Sequence, residues 1–262
     1  AAFERALDKV DVLRQDAKSI EESMSEHSVL RGLATIGIAA AVFGHETQSS
    51  IVEFKGATKL AIAQTKNGKN EDAIKELGQA AKYAEQVSAW GSFALSRVQR
   101  DKRERKRKNI DDILQKIIDQ LSPAMGAASM QLTSKLGEVK SRVFVMDIES
   151  VFINLLTNAY HACQQKKGDR KIHVELKEKT LDKKKGFELI VSDTGPGVSE
   201  KLKEQIWIPL FTTKKDQTGK EIGTGLGLTI VNSVLKESAG KADVDSDPRL
   251  GGARFNIWLP IL

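Results

Sequence analysis

The segment Asp193-Thr194-Gly195-Pro196-Gly197 places a carboxylate directly after an apolar strand, Phe187 to Val191. A carboxylate at a strand end, beside glycines that have no side chain to obstruct a ligand, can accept a hydrogen bond from an amino group. The same five residues are also typical of a turn that joins two elements. Taken alone, they leave a ligand site and a turn as alternatives.

A second glycine-rich segment, Gly223-Thr224-Gly225-Leu226-Gly227-Leu228, opens a predicted helix from Leu226 to Ser238. Backbone amides at a helix start bind phosphate groups. The dinucleotide-binding version of such a motif follows a strand, whereas the residues before this one, Thr212 to Ile222, are a polar loop. The pattern therefore disfavours a Rossmann site.

Two asparagines, Asn154 and Asn158, lie four residues apart on a predicted helix from Glu149 to Lys166. This spacing places both amides on one helix face, among apolar neighbours. Amides in such a setting need hydrogen-bond partners. Nearby backbone could supply those partners, and a metal and phosphate site is the alternative.

In their order along the chain, the three segments resemble the N, G1 and G2 boxes of the GHKL superfamily of ATP-binding domains. Asn154 to Asn158 resembles the N box, Asp193 to Gly197 the G1 box, and Gly223 to Leu228 the G2 box. The segment Ile206 to Lys214 resembles the F box, which narrows the resemblance to sensor histidine kinases of the nitrogen-regulator type. The resemblance covers residues 30 to 262. It implies an α+β fold in which a Bergerat α/β sandwich, a mixed sheet covered on one face by helices, follows a helical hairpin.

The resemblance also implies ATP and Mg²⁺ as cofactors. Asp193 would hold the adenine amino group, and Asn158 would ligate Mg²⁺. Asn154 and His161 would approach the phosphates. The glycines that would wrap the phosphates are Gly223, Gly225 and Gly227. The remaining nucleotide-binding residues that the boxes imply are Gly195, Gly197, Phe211, Thr212, Thr213, Lys214, Thr224, Leu226 and Leu228.

His45, one of four histidines, is followed by Glu46 in a segment, Leu33 to Glu46, that resembles the H box of the same kinases. Phosphorylation of histidine needs an exposed neutral imidazole that attacks the γ-phosphorus. It also needs an adjacent carboxylate that orients the ring and takes its proton. The resemblance therefore implies that His45 and Glu46 are the catalytic pair.

The N-terminal part of the chain carries apolar residues at steps of three and four. Residues 4 to 66 have this spacing without a proline, which predicts one long helix. Asn67-Gly68-Lys69-Asn70 has turn chemistry, and a second stripe from Ile74 to Val98 predicts the returning helix. Two helices cannot bury such stripes on all sides, so we predict a homodimer that forms a four-helix bundle.

The rest of the chain mixes predicted strands and helices, so we predict two domains: residues 1–104 for dimerisation and the phosphoacceptor, and 105–262 for ATP binding. The predicted strands are Arg142 to Met146, Lys171 to Leu176, Phe187 to Ser192, Lys241 to Asp245 and Ala253 to Leu259. The predicted helices not yet given are Asn109 to Leu121 and Glu200 to Trp207.

The formal charge of +6 is concentrated between Arg97 and Lys108, where eight cationic residues stand against two acidic ones. No aromatic residues interleave with these cations, so the run indicates a solvated linker and not a nucleic-acid site. The longest apolar stretch, Leu33 to Phe43, is shorter than the roughly 20 residues of a membrane span. A lone Cys163 fits a reducing compartment. We expect a cytoplasmic catalytic fragment of a longer protein.

The residues and the resemblance together predict ATP-dependent phosphorylation of His45, followed by transfer to an aspartate of a response-regulator receiver domain. One alternative is a GHKL protein that hydrolyses ATP without phosphohistidine chemistry. The N box of such ATPases normally begins with a glutamate that activates water, where this chain has Asn154. The other alternative is a dimeric scaffold with a degenerate site, which the intact G1 and G2 boxes disfavour.

Overall fold

A computed structural model describes residues 2–96, 105–166, 168–213 and 225–262 of the chain. The N-terminal part is a hairpin of two long helices, α1 (Ala2–Lys66) and α2 (Asn70–Ser96). Gly68 has a φ of 72° in the connecting turn, a conformation that glycine adopts without steric cost. The helices pack along each other through small buried residues, among them Ala57, Ala61, Ala73 and Ala80. The predicted hairpin is confirmed.

The first residues of the apolar stripe predicted for α2 do not face α1. Ile74 and Leu77 are 69% and 53% exposed in the single chain, while the small residues beside them are buried. On α1, Leu33, Val52 and Leu60 are also exposed. The hairpin therefore leaves large apolar side chains on its outer surface.

The remainder of the chain forms strands and helices that alternate irregularly. The strands are β1 (Arg105–Asn109), β2 (Met130–Leu136), β3 (Lys140–Phe144), β4 (Arg170–Glu178), β5 (Gly186–Asp193), β6 (Lys241–Ser246) and β7 (Ala253–Pro260). The helices are α3 (Ile110–Ala127), α4 (Val145–Gln164) and α5 (Gly227–Glu237). The main sheet has the order β2-β4-β5-β7-β6; β2 is parallel to β4, and the other pairs are antiparallel. The predicted mixed sheet is confirmed.

The core lies between this sheet and the three helices. Alternate residues of β4, Ile172, Val174 and Leu176, are buried, because successive side chains of a strand point to opposite faces. They pack in one cluster with Leu114 of α3 and Phe152 of α4. The hairpin lies against this domain as well: α1 contacts α4 and α5, and α2 contacts α3.

The predicted solvated linker is wrong at its C-terminal end. Arg105 to Lys108 belong to β1, which pairs antiparallel with β3. The partner strand satisfies the backbone hydrogen bonds while most of the cationic side chains stay in water, so the charge does not prevent a strand. The Arg105 guanidinium lies 5.0 Å from the ring centre of Phe144. The segment from Arg97 to Glu104 lies outside the described residues.

Three other elements differ from the sequence predictions. The strand predicted for Arg142 to Met146 ends at Phe144, because Val145 already begins α4. The helix predicted for Glu200 to Trp207 is two short 3₁₀ turns, neither of which has a buried residue that could stabilise a longer helix. Strand β2 has no predicted counterpart, because Ser134 interrupts the alternation of Met130, Leu132 and Leu136 and most of this edge strand is exposed. In the described part of the chain, no helix combines the length and apolarity that a membrane span requires.

Candidate functional site

A cavity of about 170 Å³ lies between α4, the start of α5, the end of β5 and strand β7. Its walls come from segments far apart in the chain. The lining residues are Asn154, Thr157, Asn158, His161, Ala162, Gln165, Asp193, Pro196, Gly197, Val198, Ile206, Phe211, Thr212, Thr213, Gly225, Gly227, Leu228, Ala253 and Phe255.

Asp193 is the buried carboxylate of this cavity, with 1% of its surface exposed. Its Oδ1 accepts hydrogen bonds from the backbone N–H groups of Gly195 (2.7 Å) and Ala253 (3.2 Å). Within the described residues both of these bonds go to Oδ1, which leaves Oδ2 to accept one from a ligand. Burial raises the pKa of Asp193 to about 6, against the opposing effect of the two backbone donors. The carboxylate is therefore mostly ionised at neutral pH.

Two glycines allow the backbone to close around this carboxylate. A Cβ atom on Gly252 would lie 2.3 Å from the backbone oxygen of Asp193 and 2.4 Å from its Oδ1. A Cβ atom on Gly195 would lie 2.6 Å from the Cβ atom of Ala162 on α4. Neither position has room for a side chain, so glycine is required at both.

The side of α4 that faces the cavity carries Asn154, Asn158 and His161, as their spacing of four and three residues predicts. Asn154 also reaches across to the hairpin, because its Nδ2 donates to the Thr35 hydroxyl (3.2 Å) and to the Ser150 backbone oxygen (2.8 Å). This amide nitrogen is thus bound to α1 in the structure.

The start of α5 forms another wall of the cavity. Gly225 has a φ of 64°, and its backbone oxygen accepts a hydrogen bond from the backbone N–H of Leu210 (3.1 Å). A Cβ atom on Gly227 would lie 2.9 Å from Asn154 Oδ1. These close approaches bring the N-terminus of α5, the positive end of its dipole, to the cavity. The cavity therefore has a carboxylate in one wall and an anion-attracting helix end in another.

Most of the predicted nucleotide-binding residues meet at this cavity. Eleven of them line it: Asn154, Asn158, His161, Asp193, Gly197, Phe211, Thr212, Thr213, Gly225, Gly227 and Leu228. Gly195 lies behind Asp193, and Leu226 is an exposed N-cap residue of α5; neither is a lining residue. Lys214, Gly223 and Thr224 lie outside the described residues. His45 and Glu46 belong to α1, but their side chains are also outside what the structure describes.

Several lining residues were not predicted. Thr157, Ala162 and Gln165 extend the same face of α4, so the three-four spacing from Asn154 could have found them. Ala253 and Phe255 come from β7, which carries no motif of its own. Their place in the site follows from the pairing of β7 with β5.

The fit to a magnesium ion rests on the chemistry of Asn158. Its amide oxygen is a hard ligand on the cavity wall. The described residues contain no cluster of three His, Cys, Asp or Glu side chains that could hold a metal ion. Mg²⁺ typically takes one or two protein ligands and keeps its other positions for water and substrate phosphates. The residues present fit that mode of binding.

Residues 145–262 match the family model described as histidine kinase-, DNA gyrase B-, and HSP90-like ATPase. The match begins at the first residue of α4 and includes every residue that lines the cavity. The cavity therefore lies wholly within the segment that resembles ATPase domains of that kind.

Individual relatives extend the similarity into the hairpin. The chain is 29% identical over 232 residues to the sensor histidine kinase ZraS of Salmonella typhimurium (strain LT2), a match that covers 88% of this chain and 47% of the relative. It is 34% identical over 114 residues to the sensor histidine kinase CpxA of Escherichia coli (strain K12), covering 44% of this chain and 23% of the relative. The chain thus spans about half the length of ZraS, and its match to CpxA spans less than a quarter of that relative. A solved structure of a mycobacterial sensor histidine kinase, MprB, aligns with a TM-score of 0.49 and 19% identity, covering 60% of this chain and 97% of that one.

Proposed function

We propose, from the premise that this chain belongs to the sensor histidine kinases with a GHKL catalytic domain, that it phosphorylates itself on His45 with ATP. The phosphoryl group would then pass to an aspartate of a response-regulator receiver domain. The observation that carries the proposal is the cavity that is lined both by buried Asp193 and by the N-terminus of α5. This pair suits a ligand that has an amino group at one end and phosphates at the other.

The chemistry follows from the nature of the two proposed catalytic groups. A ring nitrogen of His45 would form a bond to the γ-phosphorus of ATP while the bond from that phosphorus to the β–γ bridging oxygen breaks, and ADP leaves. Glu46, the next residue of α1, would accept the imidazole proton. When Mg²⁺ is bound, it neutralises phosphate charge, and the Asn158 oxygen would hold it.

The proposal assigns residues 1–104 to dimerisation and the phosphoacceptor, and residues 105–262 to ATP binding. Ile74, Leu77 and Leu60 support a homodimer, because exposed apolar side chains along a hairpin are what a second hairpin would cover in a four-helix bundle.

The test is to incubate the chain with γ-labelled ATP and Mg²⁺ and to measure the acid stability of the labelled product. A phosphohistidine is labile in acid and durable in base. His45→Ala should abolish the label and leave nucleotide binding unchanged, because the described residues that line the cavity all belong to the segment 154–255. Glu46→Gln should slow labelling about 10²-fold if the carboxylate takes the proton.

His173→Ala is the matched control, since His173 lies on β4 outside the cavity and contacts Thr133. This variant should label normally. Undiminished ATP hydrolysis by His45→Ala, together with an unlabelled wild-type protein, would contradict the proposal and favour the ATP-hydrolysing alternative.

A further inference from the structure

A second buried carboxylate, Asp247, lies directly after strand β6 and shapes the turn that leads into β7. Only 1% of Asp247 is exposed. Its Oδ1 accepts hydrogen bonds from the backbone N–H groups of Arg249 and Leu250, each at 2.8 Å. Its own backbone N–H donates to the Gly252 oxygen (2.9 Å), and its backbone oxygen accepts from the Gly251 N–H (2.8 Å). One residue therefore holds the whole turn through its side chain and its backbone.

This turn is the part of the chain that closes on Asp193. Ala253 follows the turn directly and donates its N–H to Asp193 Oδ1 (3.2 Å). A Cβ atom on Gly252 would lie 2.4 Å from the same Oδ1 and 2.6 Å from the backbone nitrogen of Gly195. The backbone of the turn thus packs against the carboxylate that is proposed to bind adenine, with no side chain between them. A change in the shape of the turn would move Asp193 or remove one of its hydrogen bonds.

The two carboxylates also act on each other through their charges. Both are 1% exposed, and charges interact more strongly in a buried setting than in water. Burial is the largest cause of the raised pKa of Asp193, and the negative charge of Asp247 raises it further. Burial also acts on Asp247, but the backbone N–H groups of Leu250 and Arg249 hold the pKa of Asp247 below its usual value. Asp247 therefore stays an anion while Asp193 takes up its proton near pH 6.

The turn does not need the negative charge of Asp247. Both side-chain bonds within the turn go to Oδ1, whereas Oδ2 is buried and has no hydrogen-bond partner among the described residues. A buried charged oxygen without a partner costs stability. An asparagine would supply the same carbonyl acceptor without that cost. The charge is therefore unexplained by the turn, and its effect falls on Asp193.

We infer that Asp247 is a positioning residue of the adenine site: it shapes the turn that grips Asp193, and its charge makes Asp193 accept a proton, and so release ATP, at a higher pH than it otherwise would. The consequence is a nucleotide site that weakens on mild acidification. The inference rests on the proposed function for its effect on ATP, but the coupling of the two carboxylates can be measured without nucleotide.

Other titratable groups that face Asp193 come from α4 and the residues just after it. The positive charge of Lys166 lowers the pKa of Asp193, against the effects of burial and of Asp247. Burial raises the pKa of the Cys163 thiol, so this group stays neutral near pH 6. His161 lines the same cavity, and histidine is a residue that titrates in this range. The comparison is therefore made between variants that all keep His161.

Two variants of the full chain separate the charge of Asp247 from its turn. Asp247→Asn keeps the acceptor for Arg249 and Leu250, so ATP affinity at about pH 8 should stay within about twofold of wild type. The pH at which ATP binding is half lost should fall by about half a unit or more, because the like charge is gone. Asp247→Ala also removes the acceptor, so ATP affinity should fall about tenfold or more across the pH range. Calorimetric titration with ATP at each pH measures both quantities.

Lys166→Gln is the control of opposite sign, since removal of the cation should raise the pH at which ATP binding is half lost. Asp243→Asn is the matched control, because it removes one negative charge from an exposed position on β6; it should leave ATP affinity and its pH profile unchanged. A second readout needs no nucleotide. The side-chain carbon of Asp193 is titrated by NMR in chains labelled with ¹³C-aspartate, and its signal is assigned by its loss in Asp193→Asn. The midpoint of this titration should also fall in Asp247→Asn.

The outcomes separate the role of Asp247 from the proposed function. An equal Asp193 midpoint in wild type and Asp247→Asn would overturn the inference and leave the kinase standing. Weaker ATP binding by both variants without a shift of the midpoint would also overturn it, because Asp247 would then only stabilise the fold. A shifted midpoint in a protein that binds no ATP at any pH would support the coupling and contradict the kinase proposal. If Asp247→Ala does not fold, Asp247→Asn and the carbon titration still decide.

Discussion

Replacement of Asp193 by asparagine should weaken ATP binding and, at the same time, stabilise the protein without nucleotide. An asparagine can keep its carbonyl oxygen in the place of Oδ1, where it still accepts from Gly195 and Ala253. Its NH₂ group then takes the place of Oδ2. The NH₂ group of the asparagine and the amino group of adenine are both hydrogen-bond donors. The hydrogen bond to the ligand is therefore lost.

The size of both effects follows from the burial of the carboxylate. A hydrogen bond to a charged acceptor contributes about 1.5–3 kcal/mol, so the affinity for ATP should fall about 10- to 150-fold at about 1.4 kcal/mol per factor of ten. Burial raises the pKa of Asp193 from 3.8 to about 6. At about 1.4 kcal/mol per pKa unit this costs the folded state up to about 3 kcal/mol at pH 7. The asparagine variant avoids that cost.

The assay combines calorimetric ATP titration with thermal unfolding of the nucleotide-free chain. The stabilisation should be largest at pH 7 and fall to about half at pH 5, because the wild-type carboxyl takes up its proton between these values. Asp169→Asn is a matched control, since Asp169 lies at the surface and pairs with Lys171. Unchanged ATP affinity would mean that the segment from Asp193 to Gly197 is only a turn. Weaker binding with a lower melting temperature would indicate damage to the fold and refute the reasoning.

Three further predictions concern pH, packing and assembly. ATP affinity should fall as the pH drops below about 6, because protonation removes the charged acceptor at Asp193. The ATP affinity of the wild type and of Asp193→Asn is measured by titration at each pH. The difference between the two pH profiles separates the ionisation of Asp193 from that of ATP. Gly252→Ala should destabilise the domain by about 1–3 kcal/mol and weaken ATP binding, since its Cβ atom would lie 2.3 Å from the Asp193 backbone oxygen. Denaturant unfolding measures this loss of stability. Gly126→Ala is the control and should be near neutral, because a Cβ atom on Gly126 has no neighbour within 4 Å. Light scattering at micromolar concentration should find a dimeric full chain and a monomeric piece 105–262, and a monomeric full chain would contradict the proposed bundle.

The elements that carry the motifs could be predicted from the sequence, because their signals are local. Apolar spacing predicted α1, α2 and the buried strand β5, and the Asn67 to Asn70 segment predicted the turn between the two helices. The order of the N, G1 and G2 boxes indicated which residues meet, and most of the predicted cavity residues do line one cavity. Residue type alone placed a carboxylate at the end of β5, where Asp193 is found.

The contacts between distant elements depended on the tertiary structure. Arg31 and Asp147 are 116 residues apart, and Asn154 and Thr35 are 119 residues apart, so no local pattern could pair them. From the sequence, the Asn154 amide could either bind nearby backbone or belong to a phosphate site. In the structure it also donates a hydrogen bond to Thr35 on another helix. Strand β1 could not be predicted for the same reason. Its cationic residues have no apolar period, and they form a strand because they pair with β3. Periodicity encodes which face of an element is buried, whereas the identity of the covering group is decided when the chain folds and brings remote side chains together.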